Sequence, residues 1–380
     1  MKNKLKIRIE VSSLANKSIS GVGNYTKMLA EALDENTKIE TDASYFNFLN
    51  RQPEPQLSLE RQIEKNSLVP LRIYAKLQSY SFAPPFDFFL PKVDLTIFPN
   101  FATWPSIRTK YRAAVIHDLT YIYFPEVVEA KNLAHLRRVV PRSIKQADFI
   151  ITVSETVKDE LVKEFSLSPE KCVVTTVPPN ALYFQKNINE IHKKYGIPTR
   201  KFIFFIGNLE PRKDLPTLVE AYRKLPANMK EEYSLVIAGG NGWKTEKSRQ
   251  SLANAQAAGE KVVHVGFVDS KDTAAFYQHA SLFVMPSIYE GFGIPILEAM
   301  ASKTPTLVSD IKVFRELSGD ASQYFAVSNP VSLSNGIVSI LNDTKKQELL
   351  IKSGLKRASS FSWGKNAETI VNYLNKLTSQ

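Results

Sequence analysis

Apolar and polar positions alternate over residues 4–11, where Leu5, Ile7 and Ile9 sit between Lys4, Lys6 and Arg8, and the run ends at Ser12-Ser13. A period of two predicts an opening strand. Past a glycine-containing turn, Met28, Leu29, Ala32 and Leu33 fall at helical spacing within 24–33. Strand-like apolar runs recur at 94–98, 113–116, 149–153 and 173–177, and helical patterns separate several of them. The clearest is 155–165, with Ser154 as its expected N-cap. Strands alternating with helices predict a parallel sheet covered by helices.

The pattern breaks at Pro178-Pro179-Asn180 into a polar stretch that reaches Pro198. It restarts with strands at 201–206, 233–238, 262–265, 282–285 and 306–308 and a helix at 215–225, a second doubly wound unit with its own core. The expected architecture is α/β, with two Rossmann-like domains facing a central cleft, where ligands of such sheets usually bind. The expected bounds are 1–182 for the first domain and 183–361 for the second, with a last helix at 362–380 crossing back to the first. Residues 51–92 are the least legible, being rich in proline and aromatics (Tyr74, Tyr80, Phe82, Phe86, Phe88, Phe89). They read either as a loop-rich insertion packed on the first domain or as a greasy surface for a membrane or lipid-linked acceptor. In the helical pattern at 130–146, Arg138, Arg142 and Lys145 lie near one another, and Pro141 is expected to kink or restart the helix. That basic face is either solvated or a contact for a membrane surface or lipid diphosphate.

Composition narrows the class. With 380 residues, 43% apolar and 23% charged, the chain has room for two globular cores. The single cysteine, Cys172, excludes an internal disulfide and makes a reducing compartment the default. No apolar stretch resembles a signal peptide or a membrane span, so the expected location is cytoplasmic, with peripheral contact at the inner face of the membrane left open. The net charge of +11 is spread along the chain and suits nucleic acid, anionic lipid and phosphorylated small molecules alike.

Two stretches carry candidate chemistry. Pro286-Ser-Ile-Tyr-Glu-Gly-Phe-Gly-Ile-Pro-Ile-Leu-Glu298 sets two carboxylates, Glu290 and Glu298, around a Gly-Phe-Gly turn between a strand and a helix. Bare N–H groups and the positive dipole end of that helix suit a phosphate, and Glu298 suits vicinal hydroxyls. Equally, Gly291 and Gly293 are turn glycines and Glu298 an acid compensating the helix dipole. Gly207-Asn-Leu-Glu-Pro-Arg-Lys-Asp214 puts Arg212 and Lys213 between a strand and a helix, where two cations neutralise a diphosphate.

These two elements resemble the retaining glycosyltransferases of the GT-B fold, family 4 above all. Ser20-Gly-Val-Gly-Asn-Tyr25 resembles that family's N-terminal glycine loop, His117-Asp118 its acceptor-side motif, and Phe361-Ser-Trp363 the point where its last helix crosses back. The resemblance implies that Arg212 and Lys213 bind the donor diphosphate, with Gly207 in the same loop. It implies that Glu298, beside Leu297, holds the ribose and that Gly291, Phe292, Gly293 and Ile294 meet sugar and phosphate through backbone groups. Gly21 would admit the donor phosphate, and Phe267 and Val268 would lie near the base. Glu290 and His117 would act as the catalytic stabilisers, with Asp118 orienting the histidine ring. No metal is expected, since no Asp-x-Asp pair or His-x3-His spacing occurs, and no cofactor beyond the donor itself. GDP-mannose is the first expectation for that donor, with UDP- or dTDP-sugars open, and a glycan or lipid-linked saccharide is the expected acceptor. The alternatives are a nucleotide-sugar epimerase or phosphorylase of the same fold, and a basic nucleic-acid-binding protein, for which no aromatic-basic motif speaks.

Overall fold

The computed structural model describes residues 4–15, 20–50, 52–60, 63–66, 70–79, 82–186, 190–240 and 242–379. They form two compact units: 1–121, 130–177 and 362–380 in the first, 122–129 and 178–361 in the second.

The first unit holds β1 (Leu5–Glu10), β2 (Ile39–Phe46), β3 (Glu64–Asn66), β4 (Val93–Phe98), β5 (Thr109–Ile116), β6 (Phe149–Thr152) and β7 (Cys172–Val174). They form one sheet in the order β3-β2-β1-β4-β5-β6-β7, every pairing parallel. Ser154 caps the helix Glu155–Phe165 as expected, its hydroxyl accepting from the Val157 amide. Cys172 is buried, and burial pushes its thiol up to about 11, which makes it inert. The helix Trp363–Thr378 completes this unit: Asn366 accepts from the Thr176 amide at 3.1 Å and donates to the Thr176 carbonyl at 2.7 Å.

One expectation changes here and another holds. Pro141 does not break its helix, which runs unbroken over Ala130–Gln146. Residues 137 and 141 are both exposed, and a carbonyl deprived of its helical donor costs little where water reaches it. The described part of 51–92 is loop-rich and packs on the first unit, as expected. It supplies β3 and the helix Leu71–Ser79, and Tyr74, Phe86 and Leu90 pack with Phe46, Phe98 and Trp104 in one aromatic cluster. Phe82, Phe88 and Phe89 stay exposed, while Tyr80 lies outside the described residues.

The second unit holds β8 (Lys201–Ile206), β9 (Tyr233–Ala238), β10 (Val262–Gly266), β11 (Leu282–Met285), β12 (Thr306–Ser309) and β13 (Gln323–Phe325). Their order is β10-β9-β8-β11-β12-β13, again parallel throughout. The chain therefore builds outward from β8 in one direction and returns to start the other half at β11. The strand order reverses between these two, which is where open α/β sheets bind their ligands, beyond the carboxyl ends of the strands. Its core is aliphatic and aromatic, including Ile203, Phe205, Leu235, Ile237, Leu282 and Val284 from the central strands.

Candidate functional site

Both sequence elements of the second unit leave the sheet at that reversal. After β8 the chain enters a single 3-10 turn, Pro211–Lys213, and Asp214 in the left-handed region starts the helix Leu215–Arg223. After β11 it runs through Ser287 and Glu290 to Gly293, which caps the helix Ile294–Ala301 with Pro295 in its first turn. Gly293 has φ +113, and a Cβ there would meet the Phe314 ring at 2.9 Å, so no other residue fits the turn.

The two loops meet through charge. Arg212 Nη1 donates to Glu290 Oε2 and Lys213 Nζ to Glu290 Oε1, each at 2.5 Å. Arg212 Nε also pairs with Glu210 at 3.0 Å, and the Ser287 hydroxyl donates to Glu290 Oε1 at 2.9 Å. Burial alone would raise the Glu290 carboxyl, but Arg212 and then Lys213 outweigh it and hold the group down at about 2. Burial pulls the Lys213 ammonium down and Glu290 pulls it back. We take the triad as ionised, because the guanidinium beside both groups cannot lose its proton and fixes the carboxylate charge. The residues expected to hold a diphosphate and the residue expected to hold its sugar are thus joined directly, with no cation left over. An anionic ligand reaching Arg212 and Lys213 competes with Glu290 for them.

The backbone beneath this cluster is tight. Gly239, at φ +130 after β9, lies so close to Gly207 that a Cβ would come within 2.1 Å of the Gly207 carbonyl oxygen, and one on Gly242 would strike Glu210. The glycine-rich segment holding Gly239, Gly240 and Gly242 therefore supports the loop carrying Arg212. Sequence reading passed over it, though its three glycines in four residues were a signal. Ser287, fully buried and braced by Ser309 through its carbonyl, was likewise missed as a partner of Glu290.

Glu298 lies one turn into the helix and is half-buried. Its Oε2 accepts from the Tyr277 hydroxyl at 2.8 Å, and burial pushes the carboxyl up to about 7 although two tyrosines oppose the shift. Gly291 and Phe292 sit in the turn. The Phe292 ring is buried against Phe361, and the Leu297 side chain is wholly buried, so these two could reach a ligand only through the backbone. Ile294 is the first helical residue. After β10, Phe267 is 82% exposed and Val268 is buried. Gly207 lies against the aliphatic stem of Lys213.

In the first unit, Gly21 opens the helix Gly21–Asp34, with Ser20 capping the Gly23 amide. A Cβ on Gly21 would meet nothing within 4 Å, so packing does not require glycine there. His117 follows β5. Its Nε2 lies 2.7 Å from the Pro99 carbonyl, so that nitrogen carries the proton, leaving Nδ1 as an acceptor. Tyr25 and Phe101 close on its ring at 5.0 and 5.6 Å, and burial lowers its basicity. Asp118 does not orient the ring as expected: its Oδ1 accepts from the Thr120 amide, and the Pro99 carbonyl does the orienting.

With this geometry in hand, residues 187–357 match the family described as glycosyl transferases group 1. That match lies wholly within the second unit. The chain is 29% identical over 268 residues to O-antigen chain mannosyltransferase B of Escherichia coli, the match covering 70% of each. It is 28% identical over 238 residues to O-antigen chain mannosyltransferase RfbU of Salmonella typhimurium, covering 63% of this chain and 62% of that one. The structure of HepE from Anabaena, solved with UDP and glucose, superposes with a TM-score of 0.71 at 16% identity, covering 98% of this chain and all of that one. Two parallel doubly wound sheets with these neighbours make the fold GT-B, and the resemblance drawn from the Glu290–Glu298 and Arg212-Lys213 elements holds.

Proposed function

We propose that this chain moves a hexose, with retention at the anomeric carbon, from a nucleoside-diphosphate sugar to a glycan or lipid-linked saccharide during synthesis of a surface polysaccharide. The observation that carries this reading is the Glu290–Arg212–Lys213 cluster at the reversal of the second sheet. When a diphosphate takes the two cations, Glu290 is released toward the sugar. As the bond from the anomeric carbon to the phosphate oxygen breaks, positive charge grows on the ring, and a carboxylate beside it stabilises that state. Arg212 and Lys213 hold the departing negative charge, the work a metal ion performs elsewhere. The acceptor oxygen bonds to the same face of the carbon, and its proton passes to the leaving diphosphate oxygen, so no protein base is called for. Gly21, with space over its Cα, would admit a phosphate, and His117 Nδ1 would accept from a sugar hydroxyl. Phe267 would carry the base on its exposed face.

Mannose from GDP-mannose is the proposed donor, supported by the two O-antigen mannosyltransferases to which the chain is similar. Exposed Phe82, Phe88 and Phe89 support a peripheral membrane contact, which liposome flotation tests. Among the described residues no helix is long and apolar enough to cross a membrane.

The test is slow hydrolysis across GDP-, UDP- and dTDP-sugars, with and without EDTA, by the wild type, Glu290→Ala and Lys213→Ala. One donor cleaved, indifferent to EDTA and lost in both variants, supports the reading, and NMR of the transfer product reports its anomer. A donor isomerised without acceptor would make the chain an epimerase. No cleavage and no binding would refute the transferase.

A further inference from the structure

Glu298 is not held by its own helix alone. Tyr277, from the helix Ser270–His279, donates to Glu298 Oε2 at 2.8 Å. Tyr183, from the short turn Ala181–Phe184 far back in the chain, brings its hydroxyl to the same carboxylate. The two rings meet edge to face at 5.7 Å, Tyr277 fully buried and Tyr183 nearly so. Their backbones are tied to the end of the helix that bears Glu298. The Ser302 hydroxyl donates to the Tyr183 carbonyl at 3.3 Å and that of Thr304 to the Tyr277 carbonyl at 2.5 Å. Each tyrosine is thus anchored twice, by its carbonyl to residues just past the helix and by its phenol to the acid one turn into it.

We propose that Tyr277 and Tyr183 are positioning residues for the ribose of the donor: they grip one edge of the Glu298 carboxylate and turn the rest of it toward the vicinal hydroxyls. The proposal rests on Glu298 being the ribose-binding acid. Filling the space would need only phenylalanine at either position, and each hydroxyl is instead spent on a carboxylate that remains half-buried. Bidentate acceptance from two sugar hydroxyls needs an ionised acid, which is acceptor-only. Burial drives this carboxyl toward neutrality, and the two phenols are what oppose it. A carboxylate free to rotate or to protonate would lose both its geometry and its preference for a diol.

The experiment uses the full chain with GDP and 2′,3′-dideoxy-GDP in calorimetry, or the uridine pair if the donor screen selects UDP, on wild type, Tyr277→Phe and Tyr183→Phe. The wild type prefers the ribose form. Each phenylalanine weakens it by roughly 10- to 100-fold, the size expected for one hydrogen bond to a charged group, and leaves dideoxy binding unchanged. The donor KM rises while kcat holds. If the wild type binds both nucleotides equally, Glu298 does not read the ribose and the proposal falls with that assignment. If it prefers the ribose form and the variants keep that preference, or lose both ligands together, the tyrosines are structural only and the proposal alone is overturned. Should one variant fail to fold by circular dichroism, the other decides.

Discussion

Glu290→Gln separates the two roles given to the cation cluster. The change keeps the size of the side chain and its contact with Ser287 but removes the charge shared by buried Lys213 and half-buried Arg212. A carboxyl held at about 2 against an ordinary 4.5 favours its charged form in the folded state by about 3 kcal/mol. Breaking one side of a buried ion pair costs about 3–5 kcal/mol by the same logic. In a unit of this size about 3 kcal/mol lowers the melting temperature by roughly 6–12 °C. The sign of the pH dependence follows: a depressed carboxyl contributes fully above 4.5 and loses its contribution as pH falls toward 2, so the gap between wild type and variant closes at acid pH. Nucleotide binding should move the other way. With Glu290 neutral, Arg212 and Lys213 no longer have to be taken from a competitor, so GDP or UDP binds the variant at least as tightly and raises its melting temperature by more. Turnover of the sugar donor falls at least 100-fold, because the sugar loses its carboxylate. Scanning fluorimetry with and without nucleotide, calorimetry and a hydrolysis assay read the three effects. If the ligand-free variant melts within 1 °C of wild type, or nucleotide affinity falls tenfold, the account of a carboxylate competing for the clamp is wrong.

Raised carboxyls give a second pH test. Glu298 and Glu10 are both pushed by burial to about 7, so the folded chain binds more protons than the unfolded one between 4.5 and 7, and stability without ligand falls as pH rises through that window. Urea melts at pH 5 and 8 should show it, and Glu298→Gln should remove about 1–2 kcal/mol of the difference, discounted because the side chain is half-buried. Gly239→Ala should cost 2 kcal/mol or more on the order of a strained backbone plus a clash with the Gly207 carbonyl, and should lower nucleotide affinity as the Arg212 loop shifts; denaturation with a binding titration reports both. Asn366→Ala leaves the Thr176 amide and carbonyl without their partner and should destabilise the first unit by about 2 kcal/mol, seen as earlier proteolysis of that unit.

The second unit was the more legible half because its strands are uniform apolar runs: 201–206, 233–238 and 282–285 coincide with β8, β9 and β11. Its charged loops could be placed at strand ends from spacing alone, and their meeting through Glu290 follows from the order of the strands, which spacing does not reveal. In the first unit β2 escaped notice. Its sequence, Ile-Glu-Thr-Asp-Ala-Ser-Tyr-Phe, carries Asp42 inward, and that is tolerable only because Arg8 on β1, in register and wholly buried, meets it at 2.5 Å. A polar residue whose partner lies 34 positions away gives no periodic signal. β3, three residues long, and the Tyr74–Trp104 cluster were hidden for a related reason, since aromatics gathered from distant segments look like a greasy loop until they pack. The support of Glu290 by Ser287 and of Glu298 by two tyrosines belongs to the same class, with ordinary residues acquiring a task only through neighbours the sequence does not align.

The return of the helix Trp363–Thr378 to the first unit sets the order in which the chain can finish folding. The first unit cannot close its core until residues 362–380 are made, which come after the whole of 178–361. The segment 122–129, which belongs to the second unit, is made long before. Synthesis from the amino end usually favours the earlier domain, but here the later-coded unit holds all its parts first. The earlier one must wait, incomplete, with its Thr176 edge unpaired. Chaperone demand and sensitivity to truncation should therefore fall on the first unit, and a chain cut at 361 should retain a folded second unit beside an unfinished first.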